Sequence, residues 1–120
     1  MRPLALLLLS LGTVLAALPP LLGPGLPPGT ELRLFSQDLR ILHGAWRVEG
    51  KRLIPLSAPI PPKLGQEVQL LLVLPGEKPR TFPGVADRGD VVLLQDKERV
   101  SLLRLLKEVY GLAPPERLWP

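Results

Sequence analysis

The chain has 120 residues, with 15 Lys and Arg, 11 Asp and Glu, a single histidine (His43) and no Cys. This length accommodates one globular domain, and the lack of Cys excludes disulfides, thiolate metal sites and cysteine nucleophiles. Sites that need several imidazole ligands are excluded as well. We predict no metal site and no cofactor. The 10 Arg against 5 Lys, the 16 Pro and the lack of Asn are typical of heat-adapted proteins and equally of GC-rich codon usage.

The first residues have the pattern of an export signal. Arg2 precedes Leu4–Leu18, a run without charge that would span roughly 22 Å as a helix, less than the roughly 30 Å hydrocarbon core of a bilayer. Pro19-Pro20 discourages further helix, and small side chains favour cleavage near Ala16–Ala17. We predict a signal peptide or, counting on to Leu22, an uncleaved anchor over residues 4–22. Both place the remainder of the chain outside the cytoplasmic membrane.

Composition divides the rest of the chain into three parts. Residues 19–29 hold five Pro and three Gly, a density that favours a semi-stiff linker after the signal peptide or anchor of residues 1–18. Residues 30–113 are predicted to form a small α+β domain. Residues 114–120 follow as an extended tail, in which Leu118 and Trp119 would expose much apolar surface unless they fold back or insert into a partner or a membrane. We expect the pair to fold back.

The domain begins with patterns of short strands. Residues 31–35 alternate as a half-buried strand does, although apolar residues through Trp46 also fall at helical spacing, so strand is favoured over residues 31–43 without excluding helix. Residues 45–48 and 51–54 read as a hairpin that turns at Gly50. Pro55 favours an edge position for its second strand.

The second half of the domain contains more apolar runs. Residues 67–74 predict a central strand, residues 75–90 a long loop with a short edge strand at 80–82, and residues 91–94 another buried strand. Asp87-Arg88-Gly89-Asp90 is interpreted as a turn. A helix is predicted from Lys97 to Tyr110, capped by Asp96 and closed by Gly111. The predicted core comprises Val68, Leu70, Leu72, Leu74, Val91, Leu93, Leu103, Leu106 and Val109.

These elements predict an α+β fold: a small, mostly antiparallel β-sheet or partly open barrel with one C-terminal amphipathic helix behind the N-terminal signal or anchor helix. Catalytic patterns are lacking. His43 has no serine in a nucleophile-elbow setting as a partner, and the carboxylates of residues 87–98 do not form a calcium loop. No phosphate-binding glycine motif occurs.

One stretch is basic: residues 39–65 carry five cations against Glu49 alone. It supplies the candidate binding residues, which are Arg40, Trp46, Arg47, Lys51, Arg52 and Lys63. The cations suit phosphates and the indole suits base stacking, whereas a solvated hairpin with a core Trp46 is the simpler interpretation.

The preferred function is therefore that of an exported or membrane-tethered small domain of the cell envelope that acts by contacts with a protein partner, without catalysis. The alternative is an extracytoplasmic nucleic-acid-binding β-barrel module that uses the basic hairpin.

Overall fold

The computed structural model describes residues 18–120, and the prediction of a signal peptide or anchor falls almost entirely on residues outside that range. The described part holds one sheet and one short helix. Its elements are β1 (Glu31–Ser36), β2 (Leu42–Glu49), β3 (Arg52–Pro55), β4 (Glu67–Val73), β5 (Arg80–Asp87), β6 (Asp90–Gln95), β7 (Glu98–Ser101) and α1 (Leu102–Glu108).

The seven strands form one sheet in the order β3-β2-β1-β4-β5-β6-β7, and every neighbouring pair is antiparallel. The prediction of a mostly antiparallel sheet with a C-terminal helix is confirmed. Residues 31–36 form a strand, as the alternation favours, and the predicted hairpin is present with its second strand at the sheet edge.

The sheet buries one face. Side chains alternate between buried and half-buried along β1 and β4, and the buried set packs against α1 and against residues from both chain ends. Of the nine predicted core residues, seven are buried, while Leu103 and Val109 are partly buried against the same cluster. Leu70 and Leu72 lie at the centre, fully buried on the strand that joins the two halves of the sheet.

The predicted helix start at residue 97 is wrong. Glu98–Ser101 forms β7, and α1 begins only at Leu102, with Ser101 as its N-cap. Asp96 has a φ of 53° and lies in the tight turn between the paired residues Gln95 and Glu98. Aspartate tolerates this left-handed conformation and also caps helices well, so the same residue type marked a hairpin rather than a helix start.

The predicted loop over residues 75–90 is also wrong in its second half. β5 runs from Arg80 to Asp87 and lies inside the sheet between β4 and β6. The ladder to β6 begins at Gly84, so Pro83 lies in the part of β5 that pairs only with β4. Gly84 fits because a Cβ there would lie 2.7 Å from a methyl carbon of Val91.

The predicted linker packs against the domain. Leu22 is fully buried, and its backbone N–H donates to the hydroxyl of Tyr110 at 3.0 Å. The same hydroxyl donates to the carbonyl of Gly23 at 2.7 Å. Burial raises the pKa of the Tyr110 hydroxyl, and the bond from Leu22 opposes that shift. The spacer expected from the Pro and Gly content is thus fastened to the core, since its leucines supply apolar surface.

The C-terminal segment folds back, as expected. Leu118 and Trp119 are each 5% exposed, and the N–H of Leu118 donates to the carbonyl of Gly89 at 2.6 Å. Closer to the helix, the N–H of Ala113 donates to the carbonyl of Lys51 at 2.6 Å beside the edge strand β3. The segment after α1 therefore contacts both halves of the sheet.

Candidate binding surface

The structure separates the predicted basic residues. Arg47, Lys51 and Arg52 lie at the β2–β3 hairpin, whereas Arg40 lies in the β1–β2 connection and Lys63 in the β3–β4 connection. The strand registers place the hairpin turn at the end of the sheet where β1 begins, opposite the end that holds the other two residues. The six candidates therefore do not form one surface.

Trp46 points away from the cations of the hairpin. Its side chain lies on the buried face, is 4% exposed and belongs to the core cluster. Gly44 makes room for the indole, since a Cβ at that position would collide with the ring. The ring is therefore enclosed by protein and offers no face for stacking on a base.

Arg47 is already engaged by carboxylates. Its guanidinium lies 3.8 Å from Glu31 and 3.7 Å from Glu49, and Glu31 also accepts from Arg33 at 2.7 Å. These alternating charges cover the outer face of the sheet near the start of β1. Arg33 and Arg47 thus each have an anion beside them, whereas Lys51 and Arg52 at the hairpin turn take part in no ion pair within residues 18–120.

The opposite end of the sheet, which also holds Arg40 and Lys63, carries exposed apolar side chains. Six large apolar residues of the described part are exposed by 40% or more, and all lie in or beside the β1–β2 and β3–β4 connections. Five of them lie in, or directly after, these two connections, at the end of the sheet where β1 ends and β4 begins. We call this set the apolar end: Leu39, Ile41, Leu42, Ile60 and Leu64. The sixth, Leu56, lies directly after β3, at the start of the β3–β4 connection.

His43, on β2, holds the β3–β4 connection against the sheet. It is buried, its Nδ1 lies 2.7 Å from the carbonyl oxygen of Ile60, and its Nε2 lies 3.2 Å from the amide nitrogen of Gln66. The carbonyl can only accept, which assigns the proton to Nδ1 and makes Nε2 the acceptor from Gln66. The side-chain oxygen of Gln66 in turn accepts from the N–H of Lys63 at 2.9 Å. The one histidine is thus a structural bridge that fixes the loop carrying Ile60 and Leu64.

The β1–β2 connection is equally ordered. The N–H of Ile41 donates to the hydroxyl of Ser36 at 3.0 Å, and that hydroxyl donates to Asp38 at 2.6 Å. The bond from Ser36 lowers the pKa of the Asp38 carboxyl, and a bond from the N–H of Arg40 lowers it further to a smaller extent. Leu39 has a φ of 64° while its side chain is 55% exposed. A leucine in the left-handed region costs about 1–2 kcal/mol, and such strain is concentrated at functional sites.

A groove on the outer face adjoins the apolar end. Its volume is about 270 Å³, and its lining includes Leu64 from the apolar end, Val85 on β5, Val92 and Leu94 on β6, and Arg99 on β7. The floor is half-buried and apolar, because the outer-facing residues of β5 and β6 pair as Val85 with Val92. Leu64 therefore belongs both to the apolar end and to the lining of this groove.

These apolar residues were not predicted as a site. Leu39, Ile41 and Leu42 fall within residues 31–43, for which strand is favoured, and apolar residues are expected in a strand. Ile60 and Leu64 stand between predicted strands, where three prolines (Pro59, Pro61 and Pro62) accompany them. Large apolar residues in a proline-stiffened connection are the signal that could have found the surface.

No family model, curated protein or solved structure matches the chain at a significant level. The geometry of the surface therefore carries the functional argument. Between residues 18 and 120, no helix has the length and apolar character needed to cross a membrane. In the same range, no three His, Asp or Glu side chains gather where they could hold a metal ion.

Proposed function

We propose that the chain is an exported domain, tethered by its N-terminal apolar segment or released after cleavage, that binds another envelope protein through the apolar end and catalyses no reaction. The observation that supports this most directly is the exposure of five leucine and isoleucine side chains at one end of the sheet, on two connections that hydrogen bonds hold in place. Apolar patches of several hundred Å² on soluble domains usually mark interaction sites.

Rigidity strengthens this argument. The hydrogen bonds of Ser36, His43 and Gln66 hold both connections in the conformation that exposes the apolar side chains. A surface that is ordered before binding loses less conformational entropy on association. The strain at Leu39 also supports a binding role. A polar residue or glycine would be more stable at an exposed position with positive φ, so stability does not explain the leucine.

The position of the N-terminal segment favours a protein over a lipid surface as the occupant. Pro19 and Leu21 lie beside the turn of residues 95–98, at the end of the sheet opposite the apolar end. β1 alone has six residues and so separates the two ends by roughly 20 Å. A chain anchored through its N-terminus would therefore hold the apolar end away from the bilayer.

The nucleic-acid alternative has less support. Trp46 packs in the core, Arg47 lies between two carboxylates, and the remaining cations are split between opposite ends of the sheet.

We infer further that the sheet curves into a partly open barrel, because the bridge from Ala113 brings the segment after α1 to the β3 edge.

Site-specific crosslinking in the source cells tests the proposed contacts. A photoreactive residue at Ile60 should give a discrete crosslinked protein, and the polar change Leu39→Ser should reduce that product at least tenfold. The matched control places the photoreactive residue at Lys51, on the exposed hairpin turn, where no discrete product is expected. Equal products at Ile60 and Lys51, or crosslinks to lipid only, would contradict the proposal.

Two further measurements separate the alternatives. Affinity for a protein partner should fall much less with salt than affinity for nucleic acid, because each neutralised phosphate steepens the salt dependence of nucleic-acid binding. Mass spectrometry of the N-terminus tests export: loss of the residues before Ala17 indicates cleavage, and an intact Met1 in the membrane fraction indicates an anchor. An intact Met1 in the soluble cytosol would refute export.

A further inference from the structure

The groove beside Leu64 has the dimensions of an anchor site for a side chain. Its volume of about 270 Å³ lies just below the range of about 300–1,000 Å³ that is usual for small-molecule pockets. Val85, Val92 and Leu94 form an apolar floor that is half-buried and open on the outer face. Interfaces between proteins concentrate their binding energy in such places, where one large side chain of the partner is enclosed.

Charges of opposite sign border the groove on its two sides. Arg99 pairs with Leu94 on the β7 side, whereas Asp87 follows Val85 on β5 and Glu67 pairs with Val85 on the β4 side. All three charged side chains are exposed, and none takes part in an ion pair within residues 18–120. This contrasts with the outer face around Glu31, where anions already neutralise the arginines. The groove therefore has a basic side and an acidic side that are both available to a ligand.

We propose that this groove receives one bulky aliphatic or aromatic side chain of the partner protein, with a carboxylate of the same segment facing Arg99 and a cation facing Asp87 and Glu67. The inference rests on the proposed function, because Leu64 belongs both to the apolar end and to the lining of the groove. It adds the chemistry of the bound segment: an apolar residue between an acidic and a basic neighbour, bound in one direction only.

A selection from a random peptide library displayed on phage, against the full chain held in nanodiscs, tests this chemistry. Enriched peptides should share a bulky apolar residue flanked by opposite charges, and a synthetic version with alanine at the apolar position should bind at least tenfold more weakly. No enrichment over empty nanodiscs would overturn the proposal. Enriched peptides that lack this pattern would also overturn it.

Two exposed substitutions then locate the binding. Arg99→Glu should weaken the selected peptide at least tenfold, and a peptide with its acidic residue changed to lysine should regain affinity for that variant. Leu64→Ser should weaken both peptides. The matched controls are Arg52→Glu, an exposed arginine on the opposite edge strand, and Leu56→Ser, an exposed leucine of the same connection outside the groove; both should bind as the unmodified chain does.

The outcomes also distinguish this inference from the proposed function. If Leu39→Ser abolishes crosslinking at Ile60 while Arg99→Glu and Leu64→Ser change neither peptide binding nor crosslinking, the apolar end is the interface and the groove proposal fails. Binding of vesicles of phosphatidylglycerol that is lost in Leu64→Ser, or self-association of the chain through the groove, would likewise overturn the groove proposal.

Discussion

Replacing Trp119 with alanine should lower the stability of the domain by about 3–5 kcal/mol. The side chain is 5% exposed and belongs to the core cluster. An aromatic side chain buries about 150–250 Å², which at about 25 cal/mol per Å² corresponds to about 4–6 kcal/mol. That figure is an upper bound, and measured Trp→Ala changes in cores cost about 3–5 kcal/mol. Trp119, four positions after Pro115 in the C-terminal segment, would thus contribute as much to the free energy of unfolding as a residue at the centre of the sheet.

Urea unfolding of the full chain followed by far-ultraviolet circular dichroism measures this difference. With a slope of about 2 kcal/mol per M, the midpoint should fall by about 2 M. Trp46 remains in the variant as a fluorescent reporter of the core. Removal of Pro120, which is exposed, is the control and should leave the midpoint unchanged. A loss below about 1 kcal/mol for Trp119→Ala would refute the reasoning, because it would show that the tail does not complete the core.

Three further substitutions test the packing. Leu72→Ala, at a fully buried position of β4, should cost about 2–5 kcal/mol in urea unfolding, and a loss below half a kcal/mol would show that β4 is not central. Gly44→Ala should cost about 1–3 kcal/mol because the added methyl displaces the indole of Trp46; an intact Trp46 fluorescence spectrum and midpoint would contradict this. Tyr110→Phe should cost about 1–3 kcal/mol by leaving the N–H of Leu22 and the carbonyl of Gly23 unpaired. The unmodified chain should also lose stability as the pH rises above about 10. Burial raises the pKa of Tyr110 in the folded state, so the unfolded chain ionises first; pH titration of the midpoint should show this loss in the unmodified chain and not in the Phe variant.

Periodicity in the sequence favoured several of the strands that have one buried face. The alternation in residues 31–35, the apolar run at residues 67–74 and the turn at Gly50 all matched the structure. For residues 31–35 the sequence also allowed a helix, and the pairing of β1 with β2 and β4 decides for the strand. The helix start failed because Asp96 fits both an N-cap and a left-handed turn, and only the pairing of Gln95 with Glu98 decides between them. That pairing depends on neighbours that the local sequence does not contain.

The candidate site was harder to predict for a related reason. Charge and aromatic content are visible in the sequence, so Arg47 and Trp46 stood out, but their partners across the sheet are not visible. Glu31 and Arg47 are sixteen positions apart and become neighbours only through the antiparallel register. Exposure of Leu39 and Ile60 is likewise a property of the folded surface, since leucine and isoleucine are normally assigned to the core.

The contacts of the C-terminal segment have a consequence for the order of folding. β1–β3 and β4–β7 are two meanders built from local hairpins, and the β1–β4 ladder is their one strand pairing. Residues 112–119 then bind across them, with Ala113 on Lys51 and Leu118 on Gly89. Local hairpins form quickly and distant contacts form late. Residues 112–119 follow all seven strands in the chain, so during synthesis from the N-terminus both meanders are made before the segment that fastens them together. The domain can therefore reach its full stability only after this segment has docked on both meanders.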